Sequence, residues 1–354
     1  MTNVDVRVVG QGLAGSVLSI KLIEAGYTVI LIDKPELSSC SKIAAGIWNP
    51  IVFKRLTKSW MIDDLLPELL AFYKQAELKF KTPLIIERHI VKLFSEQQEA
   101  DLWKKKANGE LENYLDKTIY HDNDFNGIKI SAFGYSKVLK SGNLDVKTFL
   151  EATQLFLMEK QSMLVEEFNH QDLSIGETIS YKNINANNIV FAEGYLIKNN
   201  PYFNYVPFKP AKGEVLTIKT KNVNIGTNII NKNAFLMQLE SDTYKLGATY
   251  NWDDLNENQS QSATQELQDK FKKISEVDYA ILKHEAGVRP SVIDRRPVMG
   301  QHPKHKNVFL FNGLGTKGVM LAPYFAQRLV NYFKSNEPLL EEVNVSRFNK
   351  FFVN

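Results

Sequence analysis

Cysteine is almost missing from this chain: Cys40 is the sole one among 354 residues. That excludes an internal disulfide and any metal site built on paired thiolates, and it suits a reducing compartment. A dominant charge is missing too. The chain carries 43 basic and 40 acidic side chains, a net charge of +3, too small a surplus to indicate a nucleic-acid partner. No apolar run approaches the roughly 18 residues of a membrane span. The first residues lack a basic segment followed by an apolar one, so no secretory leader is expected and the chain is assigned to the cytoplasm. No internal repeat or low-complexity tract is present. The six histidines are scattered. His302 and His305 share a Pro-containing turn, expected to be solvated because no further ligand types cluster nearby. No Ser-His-Asp or Cys-His set is evident.

What is present begins at Val4. An apolar fraction of 44% and a charged fraction of 23% are those of a globular protein with a large core. The length predicts two to three domains or two halves of one enzyme. Val4, Val6, Val8 and Val9 suit a buried parallel strand. Gly10, Gly12 and Gly15 follow as G-x-G-x-x-G. The first permits a tight turn, the second a close approach of pyrophosphate to backbone, the third close helix–strand packing. A helix follows with Ala14, Val17, Leu18, Leu22 and Ala25 on one buried face, and Gly26 is placed to end it. Residues 27–32 form a second apolar strand closed by Asp33, which stands 18 residues past Gly15. An acid there takes the hydroxyls of an adenosine ribose, with Lys34 beside it. The first helical N–H groups, at Leu13 and Ala14, and the helix dipole would hold a diphosphate. The pattern predicts a dinucleotide and leaves NAD and FAD open.

Further along, residues 38–50 (SSCSKIAAGIWNP) form a small-residue turn. Ala44, Ala45 and Gly46 can lie flat against a planar ligand, with Trp48 and Asn49 beside them; a packed turn with a core tryptophan is the other reading. A helix is predicted over 61–79, strands over 84–94, a polar helix over 96–108, then a turn-rich section with Asn123, Asp124, Asn126 and Gly127. An amphipathic helix covers 144–160, and 188–194 reads as a buried strand ending in Gly194. Strands of an antiparallel sheet fall at 208–216 and 234–250, and a polar helix at 260–274. HEAGVRPSVIDRRPVMG (284–300) and a strand at 308–311 precede the glycine turn Gly313-Leu-Gly-Thr-Lys-Gly318. A final helix runs to about Phe333, with Pro323 in its first turns or bending it. The expected class is α/β: a discontinuous Rossmann-like nucleotide domain (1–81, 141–200, 285–354) with a β-rich α+β substrate domain inserted in two pieces (82–140, 201–284).

Five blocks in order carry a resemblance: GQGLAG with Asp33, AAGIWNP, IVFAEG, AGVRPSVIDRRPVMG and FNGLGTKGVMLAP. The chain resembles the FAD-dependent D-amino-acid oxidase superfamily, which includes glycine and sarcosine oxidases, over nearly its whole length. LGATYNWDD and LGTKGVMLAP also look like the oxidase domain of the bifunctional tRNA wobble-uridine modification enzyme. The resemblance implies FAD rather than NAD. It places Ala45, Gly46, Ile47 and Asn49 against the isoalloxazine, with Ala44 beside them and Gly194 near the cofactor. It sets Gly313, Gly315, Thr316, Lys317 and Gly318 at the pyrimidine end. There the dipole of the final helix, and the charge of Lys317 if it is not a solvated loop lysine, would favour the negative charge of reduced flavin.

Arg289 matches the arginine that holds the substrate carboxylate, a task suited to bidentate guanidinium. Arg295 and Arg296 compete for it, and Asp294 is able to pair with any of the three. The sequence departs from the family in two places. Phe235 stands where relatives often place a tyrosine over the substrate, with Tyr250 and Trp252 available to compensate, and Asp33 replaces the more usual glutamate. Cys40 is outside the C-terminal region where some relatives tether flavin, so noncovalent FAD is expected. The implied function is oxidation of the C–N bond of a small amino acid or N-substituted glycine by hydride transfer to flavin. The alternatives are the same chemistry on carboxymethylaminomethyl-uridine in tRNA, which would want a basic rim such as Lys54, Arg55 and Lys58, and a non-catalytic flavoprotein.

Overall fold

In the computed structural model, residues 2–34, 40–122 and 124–352 are described. Ser38, Ser39 and Asn123, drawn on above, lie outside them. The valine-rich start forms the strand Thr2–Val9, the glycine turn follows, and the helix Leu13–Glu24 begins at once. The first two turns of this helix are buried beyond one face, Ser16, Ser19 and Ile20 included, while Glu24 is exposed, as is Ala25, expected on the buried face. It lies between the sheet and the C-terminal helix Gly318–Ser335. Gly26, at φ +91°, ends it as the spacing required.

The first sheet has eight strands. Its parallel centre orders Met163–Val165, Val29–Asp33, Thr2–Val9, Ile184–Phe191 and Val308–Asn312. Antiparallel strands extend it at both branches of Ile184–Phe191: Ile179–Tyr181 with Leu173–Ile175, and Val298–Gln301. Gly194 follows this strand, at φ +57°, as the first residue of a 3-10 turn rather than the strand's end.

The second sheet has seven strands, ordered Ala280–Arg289, Ala211–Lys219, Thr243–Gly247, Phe235–Glu240, Ile229–Asn231, Ile90–Leu93 and Tyr135–Val138. The Ala280–Arg289 strand pairs with Ala211–Lys219 along its whole length. The boundary expected at 284/285 therefore falls inside one continuous strand of this sheet. The helix Gln261–Lys272 covers its far face through Leu267 and Phe271, which join Leu216, Ile218, Leu236 and Tyr244 in a separate core.

Pro323 sits six residues into the final helix. It has no N–H to offer the Val319 carbonyl. The buried Tyr73 hydroxyl donates to that oxygen instead, at 3.4 Å. No helix among the described residues is long and apolar enough to cross a membrane.

Candidate active site

One cavity of about 980 Å³ runs from the carboxyl ends of the parallel strands to a face of the seven-stranded sheet. Ligands of doubly wound sheets bind outside the carboxyl ends of the strands, so its first half is built by topology. Gly10, Gly12, Leu13, Ala14, Asp33 and Lys34 line that end. The three motif glycines do different work. A Cβ on Gly10, which sits at φ +102°, would stand 2.6 Å from the Ala192 carbonyl oxygen, and one on Gly15 1.9 Å from that of Gly10. Both are required by the protein's own backbone. A Cβ on Gly12 would meet Ser41 Oγ at an ordinary 3.4 Å. Gly12 caps the helix without a side chain and is the bare surface at the helix N-terminus, which suits a diphosphate. The Leu13 N–H donates to Ser41 Oγ at 3.2 Å. Burial pushes the Asp33 carboxyl above its usual range, opposed by the backbone N–H of Gln11, the Lys42 charge and the backbone N–H of Lys34. A ribose hydroxyl pair is an appropriate partner for such a carboxylate. Bare glycine, helix N-terminus and acid together fit an adenosine diphosphate moiety, although the Leu13 N–H expected to hold the diphosphate is engaged by Ser41 Oγ.

Ala44, Ala45, Gly46, Ile47 and Asn49 line the middle, with Gly194, Gly315, Thr316 and Gly318. Three expected cofactor residues do not line it. Gly15 packs against the glycine turn. Gly313, at φ +75°, leaves room for Val292, which a Cβ would meet at 2.7 Å. Lys317 donates to Ser59 Oγ at 2.9 Å, and burial, with the nearby Arg296 charge, lowers its pKa. Trp48 takes the core reading: it is buried, its indole N–H donates to the Lys140 carbonyl, and its ring packs where a Cβ on Gly142 would stand.

At the sheet end Arg289 lines the cavity. Its guanidinium lies 4.3 Å over the Tyr250 ring, and Nη1 donates to the Thr249 carbonyl at 3.4 Å. No ion pair among the described residues engages it. Gly213 makes this possible, since a Cβ there would stand 1.9 Å from Nη2. Arg295 and Arg296 do not line the cavity. Arg296 stacks on Trp60 and faces Glu342 at 3.7 Å. Asp294 pairs with Arg347, at 2.9 Å, rather than with any of the three arginines considered. Phe235 lines the cavity beside Gly247, and Tyr250 stands within 5.6 Å of Trp252.

Sequence reasoning missed the supporting residues. Gly213, a glycine inside a strand, is a signal of close approach that was available. Ser41 and the His170–Glu193 pair (3.0 Å) had no local signature. Cys40 lines the cavity, and burial holds its thiol up at about 11. His302 is not solvated: it packs among Tyr202, Phe203 and Phe352, and its Nδ1 accepts the Lys304 and His305 N–H groups.

Comparison with known proteins identifies the family. Residues 5–332 match the family model described as "DAO: FAD dependent oxidoreductase". The chain belongs to that family, and it is an FAD-dependent oxidoreductase. A glycine oxidase of Bacillus licheniformis is 25% identical over 131 residues, 36% of each chain, so the match spans little more than a third of that relative's length. The solved glycine oxidase of Bacillus cereus ATCC 14579 superposes with a TM-score of 0.77 at 18% identity, over 95% of this chain and 96% of the other. The L-proline dehydrogenase of P. horikoshii gives 0.80 at 15% identity, over 99% and 98%. At these identities the superpositions show the shared fold.

Proposed function

We propose that the chain oxidises the C–N bond of a small amino acid or N-substituted glycine, with FAD held noncovalently along the cavity. Arg289 carries this reading: a cation that no ion pair among the described residues engages, in a cavity that continues to a dinucleotide-type glycine turn. FAD, when bound, would supply the acceptor for a hydride from the substrate carbon. Gly10, Gly12, Asp33, Ala44, Ala45, Gly46, Ile47, Asn49, Gly315, Thr316 and Gly318 would hold that cofactor. Arg289 takes the substrate carboxylate through two parallel N–H donors. The Tyr250 face and the Thr249 carbonyl fix the guanidinium plane. Phe235 supplies an apolar wall and no hydrogen bond, so orientation falls chiefly to Arg289. Cys40, kept as a thiol by burial, is a poor nucleophile, which supports noncovalent FAD. The glycine oxidase names among the relatives support the substrate class.

The test is anaerobic flavin bleaching. Glycine, sarcosine, other N-methyl amino acids and D-amino acids are added to the purified protein, followed by modified tRNA. We expect bleaching by a small amino acid and its loss in Arg289→Ala. Bleaching by modified tRNA alone would replace this reading with oxidation of an N-substituted glycine carried on a nucleoside. The rim for that substrate is thin, because Lys58 is paired with Asp63 at 2.8 Å while Lys54 lines the cavity.

A further inference from the structure

The strand Ala211–Lys219 buries two charges that the reading above does not use. Lys212 is 1% exposed and Glu214 3%. Side chains alternate along a strand, so Ala211, Gly213 and Val215 share one face and Lys212 and Glu214 the other. Gly213 carries Arg289 over its bare Cα. The other two hold the segment 249–260. Glu214 binds both of its ends: its N–H donates to Thr249 Oγ1 (2.9 Å), and its carboxylate accepts the Ser260 N–H (2.9 Å) and hydroxyl (2.7 Å). Lys212 binds the middle. Its backbone exchanges two hydrogen bonds with Asn251, at 2.8 and 3.0 Å. Its ammonium donates to Asp254 Oδ2 (2.8 Å) and Asn256 Oδ1 (3.0 Å) and lies 3.5 Å from Glu214.

The pairing has a consequence for Arg289. Val215 is opposite Gly247, but Lys212 is opposite Asn251. One extra residue has entered the segment, the mark of a bulge, which re-aims a side chain. The shifted register sets Tyr250 opposite Gly213, under the guanidinium, and Thr249 where its carbonyl accepts from Arg289. Tyr250 is itself 48% exposed, and its ring meets the Arg289 guanidinium and Trp252, a residue of the same segment. A buried ammonium also demands its partners, since leaving it unpaired in the interior is strongly unfavourable.

We propose that Lys212 is a positioning residue for the carboxylate site: through Asn251, Asp254 and Asn256 it clamps the segment that presents Tyr250 and Thr249 to Arg289. This rests on the reading of Arg289 as the carboxylate-binding group.

The test uses the flavin-loaded protein and acetate as probe. Acetate Kd is read from the flavin absorbance change, and hydrogen exchange is followed over residues 249–260. Lys212→Met keeps most of the length of the unbranched side chain and removes the charge. It is expected to weaken acetate about tenfold, through loss of a preorganised guanidinium. Exchange should rise in 249–260 and stay unchanged in 280–289, with FAD affinity unchanged. Asp254→Asn keeps the packing and one hydrogen bond, and should shift both readouts the same way by a smaller factor, about threefold; it decides the matter where Lys212→Met does not fold. An acetate Kd within twofold of the parent in the variant that folds, with Arg289→Ala abolishing binding, overturns the clamp and leaves the carboxylate reading intact. If Arg289→Ala also leaves acetate binding unchanged, the carboxylate reading falls, and the positioning role with it.

Discussion

A β-carbon on Gly213 would stand 1.9 Å from Nη2 of Arg289 and 2.2 Å from Cζ. Strand glycine and arginine are therefore one device, and a single methyl group separates its parts. Gly213→Ala should push the guanidinium off Tyr250 and raise KM for a carboxylate substrate about 10-fold or more, with FAD retained. Arg289→Lys keeps the charge and loses the planar fork. It should raise KM by about the same order, because a point charge does not replace bidentate geometry. Steady-state kinetics beside flavin absorbance checks both; loss of FAD in Gly213→Ala would mean that the glycine serves the fold instead. His302 yields a prediction of another kind. Burial, with His305 as the next cause, lowers its pKa from an ordinary 6.5 to about 4. The unfolded chain thus binds a proton at pH 5 that the folded chain refuses. Stability should fall as pH drops from about 6.5 towards 4 and flatten below, by at most about 3 kcal/mol for this group. Tm against pH, with His302→Gln as the control, measures it; an equal acid slope in the variant would assign the loss to other groups.

At the level of elements, the motif glycines separate by function. Gly15→Ala places a carbon against the Gly10 carbonyl and should destabilise the apoprotein by about 1–3 kcal/mol, as overpacking does. Gly12→Ala meets nothing closer than Ser41 Oγ, so it should leave the apo Tm in place and weaken FAD. Equal effects of the two on the apo Tm would remove this distinction. Local order of this kind was legible: strand, glycine turn, helix and acid follow each other within 33 residues, and each has its own periodicity or turn chemistry. Arg289 was singled out because a motif surrounds it, and it lines the cavity. Apart from Gly213, whose place inside a strand is a local signal, the misses are non-local. Trp48 reads as ligand face or core with equal ease until Gly142 is seen packed against it. Lys317 looks like a loop lysine until Ser59 Oγ, 258 residues away in sequence, accepts the hydrogen bond its ammonium donates. His302 sits in a Pro-containing turn, and its aromatic surroundings come from residues 202–205 and from Phe352. The 284/285 boundary failed because a change in sequence texture was taken for a change of sheet, whereas the strand pairing runs through it to Arg289.

The two large sheets share one cavity, and that arrangement ties cofactor to stability. The glycine turn closes on Ala192, from a strand far along the chain: the Ala192 N–H donates to the Val9 carbonyl at 2.8 Å. The 44–49 turn meets Leu144, whose N–H donates to the Gly46 carbonyl at 3.1 Å. Arg289 ends a strand of the other sheet. No contiguous stretch holds these groups together in the unfolded chain, so FAD should bind the native state alone. A ligand of that kind stabilises by RT ln(1 + [L]/Kd), about 2.7 kcal/mol at a hundredfold excess over Kd. Noncovalent FAD therefore predicts that Tm of the apoprotein climbs with the logarithm of added FAD and never reaches a plateau set by stoichiometry. It also predicts that acid precipitation of the holoprotein releases all flavin to the supernatant. A Tm that saturates at one equivalent, with yellow colour kept in the acid pellet, would instead mean a covalent link. Cys40 would then be the first residue to replace, since its sulfur is the thiol that borders the cavity.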